Sequence, residues 1–219
     1  AVCGIDEQFG RILTYLRDNQ MEENTLVVLS ADHGEMLGSH GLMSKNVWYE
    51  EAVHIPLVMR QKNRITPGKS DVIFASPDHM PTLLEYLGLP VPDACEGVSH
   101  AASMLGQGEQ APEHMFLCSY PGSAESVSAY AKLGLTHKAC GWRGIKTRDY
   151  TYVITNGYMP GEKQEEYLYN DRQDPWQLHP RVIRRDCEDP QVAEFRRLLR
   201  EYLEMLEDPF LWEKEREGE

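Results

Sequence analysis

The chain has 219 residues, of which 41% are hydrophobic and 26% are charged, a composition typical of a folded globular protein. The formal net charge of -13 argues against a nucleic-acid partner and against docking on anionic lipid. No apolar run approaches the roughly 20 residues that a transmembrane helix needs, so no membrane partner is expected. The five cysteines form no Cys-x-x-Cys pair. Scattered free thiols favour a reducing, cytoplasmic location.

The first half of the chain alternates helical and strand patterns. Amphipathic spacing indicates helices, and short apolar runs indicate strands. The run after Asn24 is apolar throughout, as in a strand buried on both faces. In chain order the patterns predict a helix over 4–21, a buried strand over 25–30, further strands over 53–60 and 71–76, and a helix from Ser76 or Asp78 to Leu87.

The second half has a different character, because its strands are short, aromatic and β-branched and are separated by turn residues. These strands predict an antiparallel sheet, and an amphipathic helix with Pro190 near its start follows them. The predicted strands cover 115–120, 141–147, 150–155 and 166–170, and the helix covers 190–206. The sequence therefore predicts an α/β segment over 1–110 and a small α+β subdomain over 111–219.

The candidate site begins where the first predicted strand ends, at Asp32-His33-Gly34. A carboxylate and an imidazole side by side, with a glycine that lets the backbone approach closely, are a plausible half of a divalent metal site. The alternative is that Asp32 caps a turn and His33 is an ordinary core histidine. Two ligands alone do not decide between these readings.

Two residues downstream favour the metal reading. Lys45 could supply the point charge that a tetrahedral anion needs beside a metal, although most lysines are simply solvated. His40 could contact substrate or could be an exposed loop histidine. The adjacent carboxylates Glu50 and Glu51 do not face each other on a helix, so they predict an ordinary helix or turn and not an acid/base pair.

The stretch "NTLVVLSADHGEMLGSHGLMSKNVWYEEAVHIPLVMR", residues 24–60, resembles the second signature region of the sulfatases in the alkaline-phosphatase superfamily. That region has a strand, Asp-His-Gly or Asp-Asn-Gly, a lysine, and a Glu-rich turn into Ile/Val-Pro-Leu. "SPDHMPTLLEYLGLPVP", "WRGIKTRDYTYVI" and "EYLYNDRQDPWQLHP" are similar to later parts of the same family, so the resemblance covers nearly the whole chain.

The resemblance implies a role for each matching residue. Asp32 and His33 match a pair of metal ligands, Lys45 matches the lysine that binds sulfate and assists the departing oxygen, and His40 matches a substrate-contacting position. The metal would be Ca²⁺ or Mg²⁺, with Mn²⁺ or Zn²⁺ also plausible because of the imidazole. The partner would be a small-molecule or saccharide sulfate ester.

The resemblance also implies a fold and a missing part. Residues 1–110 would form the C-terminal part of the catalytic domain of an alkaline-phosphatase-like sandwich, and 111–219 its α+β subdomain with a terminal helix. The family's Cys-x-Pro-x-Arg or Ser-x-Pro-x-Arg motif, whose Cys or Ser becomes the formylglycine nucleophile, does not occur here. We therefore expect a fragment that is inactive without an N-terminal segment of the same protein.

Three functions stay open at this point. The first is a sulfatase-type hydrolase acting on sulfuric esters. The second is a phosphonate or phosphate ester hydrolase of the same superfamily, because the fold and the metal pair are shared. The third is a non-catalytic binding module that retains the scaffold.

Overall fold

The computed structural model describes residues 2–108, 112–159, 161–210 and 212, and these fall into two units. The first unit comprises Ala1–Asp32 and Ile55–Pro112, and the second comprises His33–His54 and Glu113–Glu219. The predicted boundary between residues 110 and 111 lies outside the described residues, so the division into a catalytic part and a subdomain stays a prediction.

The described residues form helices and strands that are numbered here in chain order. The α-helices are α1 (Val2–Asp18), α2 (Glu50–Val53), α3 (His79–Tyr86), α4 (Ala101–Met104), α5 (Ala124–Lys132) and α6 (Pro190–Met205). The strands are β1 (Val27–Ser30), β2 (Leu57–Arg60), β3 (His114–Ser119), β4 (Trp142–Thr147), β5 (Tyr150–Thr155), β6 (Glu165–Asn170) and β7 (Arg181–Ile183). None of the helices in the described part of the chain is both long and apolar enough to cross a bilayer.

The first unit contains a two-stranded antiparallel sheet, in which β1 pairs with β2. The prediction of a strand buried on both faces is wrong, because every residue of β1 is only half-buried. A strand is buried on both faces only when other elements cover both faces, and an apolar run does not specify those elements.

The predicted strand over 71–76 is also wrong. Residues 71–75 have no regular structure, and a 3₁₀ turn begins at Ser76 and leads into α3. Apolar residues favour a strand only where a neighbouring strand supplies a hydrogen-bonded ladder. The predicted strand over 53–60 shrinks to β2, because its first residue belongs to α2.

The second unit is built on a five-stranded antiparallel sheet in the order β3-β4-β5-β6-β7. Helix α6 buries Val192, Phe195 and Leu199 in the core of this unit. The rings of Tyr152 and Phe195 stack there with centroids 5.6 Å apart. The Asp189 side chain caps the helix by accepting from the amide of Gln191 at 2.8 Å.

The predicted fold class is confirmed. The mixed α/β architecture, the antiparallel sheet and the terminal helix are all present. The four predicted strands of the second half agree with β3 to β6 to within a residue. The sequence reading missed α4, α5 and β7.

Candidate functional site

Asp32 lies just beyond the carboxyl end of β1, in the first unit, and its side chain is exposed. It lines an open depression together with Ser30, Ala31, Ser76 and His79. The imidazole of His79 is held there by two contacts: its Nδ1–H donates to the Ser76 carbonyl at 3.2 Å, and Nε2 is 3.5 Å from the Ser30 hydroxyl. Asp32 therefore lies beside an open recess at the carboxyl end of β1.

His33 and Lys45 contact each other in the second unit. The Nδ1–H of His33 donates to the carbonyl of Gly34 at 2.6 Å. Because a carbonyl can only accept, this bond fixes the proton on Nδ1 and leaves a lone pair on Nε2 of the neutral ring. The Lys45 ammonium donates to that lone pair. The structure thus brings two of the predicted site residues together.

The loop that joins these two residues is held against α2 by its backbone. The amide of Gly34 donates to the Ala52 carbonyl at 2.9 Å, and that of Glu35 donates to the Glu51 carbonyl at 2.8 Å. A Cβ at position 34 would lie 2.0 Å from the Glu51 carbonyl oxygen, so only glycine allows this approach. Met36 anchors the loop with 1% of its side chain exposed.

His40 lies in the same loop, in a left-handed backbone conformation with φ of 54°. Its ring stacks on Tyr49 with centroids 3.7 Å apart. Its Nε2 is 3.9 Å from Oε2 of Glu51, and both atoms are buried without a hydrogen-bond partner. The structure therefore places this imidazole against Tyr49 and Glu51, and its contact with substrate stays a prediction.

Glu50 is a residue whose importance sequence reasoning missed. Its carboxylate binds both Lys146 of β4 and His54, the latter at 3.1 Å. Partial burial works to raise the pKa of Glu50, but the hydrogen bonds and charges of His54 and Lys146 outweigh it and lower the pKa to about 2. The hydrogen bond to Glu50 is also the largest reason why the pKa of His54 is raised.

Further bonds make this a network that ties α2 to the sheet. Lys146 also donates to Asp171 at 2.8 Å and to Thr151 at 3.0 Å. Gln177 accepts from the Glu50 amide at 3.0 Å and donates to Asp171 at 2.8 Å. No local signal could have revealed it, since the partners lie up to 127 residues apart in the sequence.

The predicted metal ligands fit a divalent ion by chemistry. Asp32 offers carboxylate oxygens, and His33 has its Nδ1–H tied to a backbone carbonyl, which is how a metal-binding imidazole is commonly oriented. Among the residues that the structure describes, no group of three or more His, Cys, Asp or Glu side chains could hold a metal ion. These two residues therefore supply at most part of a coordination shell.

Comparison with known proteins gives consistent matches. Residues 1–89 match the family model described as Sulfatase. An endo-4-O-sulfatase of Bacteroides thetaiotaomicron is 28% identical over 98% of this chain, which corresponds to 42% of that relative. A solved B. thetaiotaomicron protein from work on the metabolism of multiple glycosaminoglycans aligns with a TM-score of 0.78 and 28% identity, over 95% of this chain and 43% of its own. A phosphonate monoester hydrolase of Agrobacterium radiobacter aligns with a TM-score of 0.73 and 26% identity, over 94% and 39%.

With the fold, these matches show that the chain is similar to sulfatases. The similarity extends over most of this chain and corresponds to the C-terminal region of the sulfatase structures. The chain spans 42% of the length of the first curated relative that it matches. Sulfatases of this superfamily use a metal ion and a formylglycine.

Proposed function

We propose that the protein to which this segment belongs hydrolyses sulfate esters. The proposal rests chiefly on the contact between Lys45 and His33, which lies within the residues that match the Sulfatase family model. It pairs a cation suited to a sulfate oxygen with an imidazole suited to a metal, on a loop whose backbone is fixed against α2. The nucleophile, a formylglycine, would come from outside this chain.

The roles of the chain's own residues follow from their chemistry. Asp32 and His33 would each supply a ligand to a divalent ion (Ca²⁺, Mg²⁺, Mn²⁺ or Zn²⁺), which when bound supplies Lewis-acid and template chemistry. Lys45 would stabilise the negative charge that develops on the bridging oxygen as the ester bond breaks. His40 would contact the substrate.

The substrate class that we propose is a sulfated saccharide. Its support is similarity over most of the chain to an endo-4-O-sulfatase and to a protein from glycosaminoglycan metabolism. The second candidate is phosphonate or phosphate ester hydrolysis, which the fold similarity to a phosphonate monoester hydrolase favours. The sulfatase reading has more support, because the family model and the sulfatase relatives agree with it.

The test is an assay of the full-length gene product on sulfated saccharides, an aryl sulfate and a phosphonate monoester. Lys45→Ala should lower kcat/KM on sulfate esters by about 10²–10³, the usual effect of removing one donor to a developing oxyanion. Lys69→Ala is the control, because Lys69 is exposed and plays no part in the proposed site. A higher kcat/KM on the phosphonate ester would favour the second candidate, and no turnover of any ester would favour a non-catalytic module.

A further inference from the structure

The backbone immediately after Lys45 is held by two side chains from distant parts of the second unit. The carbonyl oxygen of Asn46 accepts from the indole N–H of Trp142 at 3.0 Å and from the hydroxyl of Tyr158. These donors are 96 and 112 residues further along the chain. A carbonyl has two lone pairs, so both are used here by side chains.

Both donors are themselves fixed. Trp142 lies at the start of β4 with 3% of its side chain exposed, and the ring of Trp48 packs edge-on against it at 5.9 Å. The indole N–H is that residue's one side-chain donor, so its orientation is set by this bond. The Tyr158 hydroxyl is also 3.3 Å from the hydroxyl of Ser119 at the end of β3. Burial raises the pKa of Tyr158, and a neutral phenol is a hydrogen-bond donor.

The segment on the other side of Lys45 needs such support. Ser44 has φ of 75°, in the left-handed region that side chains other than glycine rarely adopt. Such a conformation persists only where the surroundings enforce it. Here the Met36 amide bonds the Ser44 carbonyl at 3.0 Å on one side, and the Asn46 carbonyl is bound on the other. Lys45 thus lies between two fixed peptide groups.

We propose that Trp142 and Tyr158 are positioning residues that hold the Asn46 carbonyl and thereby fix the backbone that carries the Lys45 side chain. The structural part of this proposal stands alone, and its consequence for turnover rests on the proposed function. A lysine side chain has four rotatable bonds, so its ammonium is placed reliably only when the backbone that carries it does not move. The antiparallel sheet would then contribute to the reaction without touching the ester.

The first experiment measures backbone hydrogen exchange in the full-length protein, which requires no activity. Tyr158→Phe removes one bond to Asn46 and leaves the ring in place, and Trp142→Phe removes the other. We expect amide exchange in the peptide covering 44–49 to become about fivefold faster in each variant, the effect of losing one ordinary hydrogen bond. Tyr152→Phe is the matched control, because its buried hydroxyl binds Glu166 at 3.0 Å in the same sheet. Unchanged exchange in Tyr158→Phe, or an equal change in the control, would overturn the proposal.

The second experiment separates positioning from general stability by a double-mutant cycle on kcat/KM. Tyr158→Phe should lower kcat/KM about fivefold in the wild-type background and less than about twofold in the Lys45→Ala background, because residues that act through one group are not additive. The full fivefold loss in both backgrounds would show that Tyr158 does not act through Lys45. If the wild-type protein turns over no sulfate ester, the proposed function fails, and the exchange experiment still decides the positioning role.

Discussion

The buried ion pair between Arg143 and Asp208 gives the sharpest prediction about stability. The Nε of Arg143 donates to one oxygen of Asp208 at 2.8 Å, and an Nη donates to the other at 2.9 Å. Arg143 lies in β4 with 1% of its side chain exposed. The Asp208→Ala substitution would leave the Arg143 guanidinium buried without its counter-charge, and a guanidinium cannot become neutral by losing a proton.

The expected loss follows from the burial of each partner. Removing one member of a buried pair costs about 3–5 kcal/mol of the free energy of unfolding. The lower end applies here for two reasons. The side chain of Asp208 is 13% exposed, so water reaches that side of the pair. The guanidinium also keeps four bonds to backbone carbonyls, including those of Ser119 at 3.2 Å and Lys138 at 2.7 Å. We therefore expect a loss of about 3 kcal/mol, toward the small end of that range.

The assay is urea unfolding followed by tryptophan fluorescence, for which Trp142, the residue before Arg143 in β4, is a probe within the same unit. With an m-value of about 3 kcal/mol per molar, the midpoint should fall by about 1 M. Asp208→Asn is the matched control, because it keeps an acceptor that can still cap the Phe210 amide, bonded at 2.9 Å in the native chain. The control should lose less than Asp208→Ala.

Two results would refute this reasoning. A loss below about 1 kcal/mol for Asp208→Ala would show that the carbonyls alone satisfy Arg143 and that the pair behaves like a surface one. The double variant Arg143→Met with Asp208→Ala should lose less than the sum of the single losses, since the second change removes the unpaired charge. Strict additivity would mean that the two side chains act independently.

Three further predictions concern other parts of the chain. The pKa of Glu50 is lowered from an ordinary 4.5 to about 2. Its carboxylate therefore contributes fully to the free energy of unfolding above pH 4.5, and this contribution falls as the pH drops toward 2. Glu50→Gln should make the urea midpoint less dependent on pH when it is measured from about pH 5 to 3. In calorimetry, the 219-residue chain should bind Mn²⁺ no more tightly than about millimolar, because few fixed donors are available. Sub-micromolar binding that survives Asp32→Ala would show that the ligands lie elsewhere. Gly97→Ala would put a Cβ 2.2 Å from the Pro77 carbonyl oxygen. It should lower the free energy of unfolding by about 1–3 kcal/mol, measured by thermal unfolding. Gly68→Ala is the control and should lower it much less, because a Cβ there would have nothing within 4 Å.

Local patterns were enough to predict strands β3 to β6 and helix α6 of the second unit. The strands β4 and β5 join through a tight turn in which the Thr147 hydroxyl accepts from the amides of Asp149 and Tyr150 at 3.3 and 3.0 Å, so alternation and turn chemistry define both elements within a few residues. Helix α6 has its cap and its proline at the start, which are equally local signals. Strand β7 was missed because it has three residues and Val182 within it is 65% exposed.

The failures in the first unit have a different physical origin. An apolar run indicates that a strand can form there. Distant parts of the chain decide how many strands flank it. The run that contains β1 finds β2 as a partner and is half-buried, and Val58 of β2 is 55% exposed. The run over 71–76 finds no ladder among the described residues and stays irregular.

The candidate site shows the same division between local and distant information. Lys45 and His33 were predicted from one motif, and their contact spans only 12 residues. The bonds that hold the Asn46 carbonyl connect residues about a hundred positions apart. Each donor is an aromatic residue, and its place in the sequence predicts only an ordinary core or surface side chain. Such supports become visible only when the fold brings them to one carbonyl group.

The two adjacent glutamates show how a correct local rule can still lead to an incomplete conclusion. Glu50 and Glu51 do point to different partners, as neighbours on a helix should: Glu50 binds Lys146, and Glu51 faces His40. The sequence reading dismissed both because they could not act as a pair. The Glu50 side chain instead ties α2 to the sheet, and the Glu51 backbone carbonyl binds the loop by accepting from the Glu35 amide at 2.8 Å. A short helix of four residues has little stability of its own, so these contacts and the Asn46 carbonyl bonds together determine where Lys45 can be.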